Sequence, residues 1–137
     1  MITALDTDVL VDVVGGDHRF GPSSLTALNR AGGRGSLVVC DVVWGEVSSV
    51  FPDLGEARRA LRCFEIEFSP MSQASAERAG EAWRAYRRAG GRRERLVADF
   101  LIAGHATEQA DILLTRDRGF ARSHFGGLRI EDPSAEV

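Results

Sequence analysis

The chain has no lysine; all seventeen of its basic residues are arginine. That absence excludes chemistries that turn on a lysine amine, among them P-loop phosphate binding, Schiff-base formation and phospho-receiver signalling. Cysteine is nearly absent too: Cys40 and Cys63 stand alone with no C-x-x-C spacing, and a reduced, buried pair in a cytoplasmic protein is expected. No apolar run approaches the roughly 20 residues that span a bilayer, so no membrane segment is expected. Asp6 and Asp8 occupy the place where an export signal carries basic residues. There is no basic excess either, since the net charge is −3; a nucleic-acid partner would need a local basic patch. No GxSxG elbow and no cysteine–histidine signature is present, and GGRGS at 32–36 is not a dinucleotide loop. His18, His105 and His124 lack ligand spacing and read as structural.

What remains is an ordinary globular composition, 44% hydrophobic and 27% charged over 137 residues. It is enough for one domain, taken as residues 1–131, with 132–137 expected to fray. Short apolar stretches at Ile2–Leu5, Leu37–Cys40 and Ile112–Leu114 predict buried strands, with weaker ones at Leu128–Ile130 and Glu65–Phe68. Helical patterns lie between them, over 8–15, 22–31, 42–51, 54–64, 72–89 and 94–109, with a short one from 117. Ala79, Ala82, Trp83 and Tyr86 recur at helical spacing as one apolar stripe. Gly32–Gly33, Gly90–Gly91 and Gly126–Gly127 read as helix stops. Strands alternating with helices predict an α/β fold with a mostly parallel sheet covered on both faces. In such sheets functional groups gather at the carboxyl ends of the strands.

The acids are the residues to weigh. LDTDVLVD places Asp6, Asp8 and Asp12 where a strand gives way to a helix. Capping accounts for Asp8 as readily as any chemistry does, and Asp41, Asp53 and Asp117 also precede helical runs. Asp12 falls one turn into the first helix and reads as a solvated surface acid. Glu46 and Asp99 are harder to explain locally. Glu46 is the only charge in VVWGEVSSVF, where Val43, Val47 and Val50 form a stripe, and Asp99 is the only acid in VADFLIAGHA. An unpaired carboxylate on a largely buried helix is costly, so each needs an arginine or a shared cation. Carboxylates gathered without histidine or cysteine select a hard ion, Mg²⁺ or Mn²⁺, suited to phosphodiester chemistry. The run Arg84, Arg87, Arg88, Arg92, Arg93 and Arg95 leads up to Asp99. It is either a solvated helix end or a rim in which one or two of the six grip phosphate, with Arg92, Arg93 and Arg95 the candidates.

Taken in order, DTDVL (6–10), Glu46, ADFLIAGHA (98–106) and LLTRDRGF (113–120) resemble the PIN-domain ribonucleases, in particular the VapC-type toxins of toxin–antitoxin pairs. The resemblance implies a three-layer α/β/α fold and an acidic quartet of Asp6, Glu46, Asp99 and Asp117 that binds metal and catalyses. It further implies a supporting hydroxyl at Thr115, Mg²⁺-dependent endonucleolytic cleavage of RNA, a homodimer, and a cognate antitoxin that blocks the site. Asp8 stands where that family often has asparagine or serine, and is either a cap or a ligand through water. Two other readings stay open: a non-catalytic PIN-like interaction module whose acids balance arginines, and a phosphatase with a nucleophilic Asp6 in a DxD start. The short chain and the missing lysine weigh against the second.

Overall fold

Three consecutive residues of the first strand, Thr3, Ala4 and Leu5, are all buried. Successive strand side chains point to opposite faces, so both faces of the sheet must be covered. The computed structural model describes residues 1–91, 97–117, 119 and 123–135. Over these it gives β1 (Ile2–Leu5), α1 (Thr7–Val14), α2 (Gly21–Arg34), β2 (Ser36–Val39), α3 (Asp41–Ser48), α4 (Leu54–Cys63), β3 (Ile66–Phe68), α5 (Gln73–Arg88), α6 (Val97–Gln109), β4 (Ile112–Leu114) and β5 (Ile130–Glu131). A 3₁₀ turn at Pro133–Ala135 follows.

The five strands form one parallel sheet in the order β3-β2-β1-β4-β5. The chain lays β2 and β3 to one side of β1, then returns to lay β4 and β5 on the other. The order therefore reverses between β1 and β4, which is where α/β sheets open a crevice. Thr3, Ala4 and Leu5 pair with Ile112, Leu113 and Leu114, and the backbone N–H of Asp6 extends the ladder to the Leu114 carbonyl at 3.0 Å. The residues that follow both central strands are thus fixed side by side.

One core surrounds the sheet, built from Leu5, Leu10, Leu28, Val39, Val43, Leu61 and Leu114 among others. A second lies between α5 and α6, where Ala79, Ala82, Phe100, Ala103 and Phe125 pack with Trp83 and Tyr86. The stripe expected on α5 faces this cluster. α6 is apolar nearly all round because it lies against both α5 and the sheet, burying Phe100, Ile102, Ala103, Gly104, His105 and Ala106.

Several expectations need correction. Gly32 and Gly33 do not stop α2, which continues to Arg34 and ends at Gly35. The β5 strand lies at Ile130–Glu131 rather than Leu128–Ile130. Glu131 there makes a two-pronged ion pair with Arg34 at 2.7 and 3.0 Å, which ties the sheet edge to α2. Pro133 is buried and Ser134 bonds to Asp132, so the tail is folded as far as residue 135. Cys40 is buried but Cys63 is exposed; both are free thiols. Val50 lies beyond the end of α3 and is exposed, so it takes no part in the stripe of Val43 and Val47. The short helix expected from 117 and the first residues of the one expected from 94 fall largely outside the described residues.

Candidate active site

Asp6 begins where β1 ends. Its extended backbone makes it the N-cap of α1, and its Oδ1 accepts the Thr7 N–H at 2.7 Å. The cap is therefore Asp6 and not Asp8, which sits in the first turn of the helix. The other oxygen, Oδ2, accepts the hydroxyl of Thr115 at 2.6 Å. Thr115 is 1% exposed, and its Oγ1 in turn accepts the Asp117 N–H at 3.0 Å. One hydroxyl thus joins the carboxyl ends of β1 and β4 and orients the turn that carries Asp117. The hydroxyl thereby fixes the backbone at Asp117, while the helix this residue was expected to cap falls largely outside the described residues.

Asp6, Thr7, Asp8, Glu46, Asp99 and Asp117 line one cleft of about 380 Å³, together with Val11, Asp12, Ile102 and Arg116. Asp6, Asp99, Thr115 and Asp117 also line a smaller recess floored by Ile102, Ala103 and Leu113. The four acids that the resemblance names, brought from four separate segments, therefore face one space. Glu46 departs from expectation in one respect: it is exposed rather than buried on α3, and its Oε1 accepts the Thr7 hydroxyl at 2.7 Å. Asp99 is half-buried on the first turn of α6. Arg92, Arg93 and Arg95 lie outside the described residues.

The electrostatics follow from burial and like charge. Burial pushes the Asp6 carboxyl above the usual range, and the Asp99 and Glu46 charges add to it. The bonds from Thr115 and the Thr7 N–H work against that rise. Asp8 is pushed up to about 7 by burial and by the Asp6 charge, against the pull of Arg116. Its Oδ1 is buried without a hydrogen-bond partner among the described residues. An orphaned carboxylate oxygen beside a group of acids is what a hydrated hard cation would satisfy, and the donor set is wholly carboxylate, as Mg²⁺ or Mn²⁺ prefers. The residues fit such an ion by chemistry, although among the described residues no three acidic, histidine or cysteine side chains stand close enough to hold one jointly.

The environment of Asp12 escaped the sequence. Asp12, read there as a surface acid, is 4% exposed. Its Oδ2 accepts Ser24 Oγ at 3.0 Å and Arg116 Nε at 2.8 Å, and its Oδ1 accepts Arg116 Nη2 at 3.0 Å. The only local signal was its spacing four residues after Asp8, which puts both acids on one face of α1. His105 is structural as expected, buried with Nε2 2.9 Å from Ser69 Oγ.

A family model for the PIN domain matches residues 3–125, nine-tenths of the chain. The chain belongs to the PIN-domain family. This membership replaces the phosphatase reading of Asp6–Thr7–Asp8. No curated protein matches the sequence. Among solved structures, this PIN domain is similar to a chain of VapBC2 from Rickettsia felis bound to a DNA fragment from its promoter, at 22% identity and a TM-score of 0.75, over 96% of this chain and 98% of that one. It is likewise similar to a chain of DNA-bound VapBC from Salmonella typhimurium, at 18% identity and a TM-score of 0.73, over 97% and 98%. A chain of FitAcB from Neisseria gonorrhoeae gives 16% and 0.69 over the full length of both. The PIN fold, with its all-parallel sheet, is thereby established. No helix among the described residues is long and apolar enough to cross a membrane.

Proposed function

We propose that this PIN domain is a metal-dependent endoribonuclease and the toxin of a toxin–antitoxin pair. One observation carries the reading: Asp6, Glu46, Asp99 and Asp117 line a single cleft at the point where the strand order reverses. The similarity to chains of VapBC complexes supports a cognate antitoxin as partner. The site lies at the sheet's carboxyl edge, and we expect the antitoxin to block it. The homodimer and a cytoplasmic setting belong to the same proposal.

In this mechanism Asp6 and Asp99 would hold the metal most directly, with Glu46 and Asp117 completing the set and Asp8 serving it through water. Mg²⁺ or Mn²⁺ bound there would supply an activated water and neutralise charge on the phosphoryl oxygens. The protein's contribution is orientation. Thr115 fixes one oxygen of Asp6 and the Thr7 N–H fixes the other, so the carboxylate has one rotamer and one face toward the cleft. Ile102, Ala103 and Leu113 floor the recess and limit water beside Asp6. Thr7 holds Glu46 at the cleft wall through its hydroxyl.

A second reading is favoured by the lack, among the described residues, of three converging ligands: a PIN-like interaction module without catalysis. One experiment separates the two. Wild type and Asp99→Asn are melted across a Mn²⁺ or Mg²⁺ titration and assayed on single-stranded RNA with and without chelator. The ribonuclease reading expects metal to raise the wild-type Tm, cleavage to vanish in chelator, and Asp99→Asn to fold but not cut. Cleavage by Asp99→Asn at the wild-type rate, or a wild type that neither binds metal nor cuts, overturns it.

A further inference from the structure

Five carboxylates line the cleft: Asp6, Asp8, Glu46, Asp99 and Asp117, besides the paired Asp12. A phosphodiester entering this space is repelled unless fixed positive charge meets it. Among the described residues Arg116 is the only basic side chain on the cleft lining. It stands at the carboxyl end of β4, between Thr115 and Asp117.

The guanidinium is immobilised from several sides. Nε and Nη2 form a fork onto Asp12 at 2.8 and 3.0 Å. Asp12 is itself held by Ser24 at 3.0 Å and rooted in the protein interior. The Phe20 ring lies 4.1 Å from Arg116 Cζ, within cation–π reach. Of the five N–H groups of an arginine, this fork occupies two and leaves both on Nη1 and one on Nη2. The side chain keeps 28% of its surface exposed and lines the cleft. Asp8 and Asp17 are the other acids whose charges act on Arg116. The Arg116 backbone N–H reaches Asp8, which leaves the guanidinium out of that bond, and Asp17 Oδ1 is taken by the Arg19 and Phe20 N–H groups. An arginine that served only to neutralise Asp12 would need neither the stacked aromatic ring nor an open edge on the cleft.

We propose that Arg116 is a phosphate-binding residue whose free Nη edge receives one phosphodiester of single-stranded RNA beside the carboxylates, with Asp12, Ser24 and Phe20 as its positioning residues. This rests on the ribonuclease reading. A planar fork fixed before substrate arrives holds an anionic oxygen pair with little further ordering, which is the advantage arginine has over lysine.

The test is the salt dependence of RNA cleavage by wild type, Arg116→Gln and Arg116→Lys in saturating Mn²⁺. Arg116→Gln is expected to lower kcat/KM about 10- to 100-fold, the scale of one charge-assisted hydrogen bond. It should also flatten the slope of log kcat/KM against log salt by about 0.7, the signature of one lost phosphate contact on a single strand. Arg116→Lys keeps the slope and recovers part of the rate. An RNA with one neutral methylphosphonate at the contacted position slows wild type and does not slow Arg116→Gln further. A folded Arg116→Gln with the wild-type slope overturns the proposal, because a merely structural role lowers the rate without changing the charge count. Should Arg116→Gln fail to fold, arginine-labelled wild type answers by NMR in chelator. The Arg116 Nε–H resonance shifts with RNA and not with the methylphosphonate RNA, and an unmoved resonance counts against the assignment. A wild type that cuts no RNA removes the ribonuclease reading and this proposal together; a wild type that cuts with an unchanged variant slope removes this proposal alone.

Discussion

Thr115 and Asp6 are 109 residues apart in the chain, yet the threonine hydroxyl donates to Asp6 Oδ2 at 2.6 Å across the junction of the two central strands. The bond favours the ionised carboxylate and so opposes burial and the neighbouring acids, which push Asp6 upward. Removing it in Thr115→Val should let the Asp6 pKa climb further. Because metal is expected to need the ionised form, the acid limb of the cleavage pH profile should move to higher pH. The rate on the plateau should fall about tenfold or more, the value of a hydrogen bond to a charged group. Thr115→Ser should restore both. A pH–rate series on the three proteins checks this; an unmoved acid limb in Thr115→Val means the hydroxyl does not tune Asp6.

Asp8 makes a prediction about stability without metal. Its folded pKa is raised from 3.8 to about 7. The folded state therefore binds the proton more tightly than the unfolded chain does. The resulting stabilisation is fully present below the unfolded value and is lost as pH rises through the folded one. In chelator, the wild-type Tm should decline between about pH 4 and about pH 7. Asp8→Asn, which cannot ionise, should melt several degrees higher than wild type near pH 8 and at the same temperature near pH 4. Asp6 acts in the same direction and leaves a residual slope in this variant. Parallel melting curves across the range would show that Asp8 is not desolvated.

What the sequence could reveal depended on how local the cause was. Ile2–Leu5 and Ile112–Leu114 were legible to the residue because strands buried on both faces are plain apolar runs. β5 was displaced because two residues carry too little pattern to fix a register. Gly32 and Gly33 suggested a stop, but a glycine ends a helix only where the backbone leaves helical geometry, and that occurs at Gly35. The acids were legible as a set through a family pattern, whereas their environments were not. Asp12 looked solvated because its partner, Arg116, lies 104 residues away. Arg116 itself, next to Asp117, carries no local pattern that singles it out from the other arginines. Glu46 was expected to be buried from the apolarity of α3, but a helix against one layer hides only one face, and Glu46 is on the other.

Gly104 marks a close approach of α5 and α6. A Cβ added there would lie 2.7 Å from the Ser75 carbonyl oxygen and 3.0 Å from Ala79 Cβ. Replacing a mid-helix glycine by alanine ordinarily stabilises, by roughly 1 kcal/mol. Here the backbone contact should reverse the sign, so that Gly104→Ala destabilises by about 1–3 kcal/mol as an overpacking change. Gly80, on the exposed side of α5 with nothing within 4 Å of its added Cβ, is the internal control and should gain stability as alanine. Urea denaturation of both variants decides it. Equal effects of the same sign would mean the two helices are not held as closely as described.

The Asp12–Arg116 fork should behave as a coupled pair joining α1 to the end of β4. Asp12 is almost fully buried, so Asp12→Asn leaves Arg116 without its counter-charge and weakens the bond from Ser24. Removing one partner of a buried pair costs about 3–5 kcal/mol. Arg116 keeps 28% of its side chain exposed, and the resulting solvent screening lowers the expected loss to about 2–3 kcal/mol. Ser24→Ala should cost about 1 kcal/mol, the worth of one hydrogen bond. The decisive measurement is a double-mutant cycle by chemical denaturation on Asp12→Asn and Arg116→Gln. Coupling predicts that the double variant loses little more than Asp12→Asn alone, because the interaction can be removed only once. Strictly additive losses would mean that the fork contributes no interaction energy, and that Arg116 owes its fixed orientation to Phe20 alone.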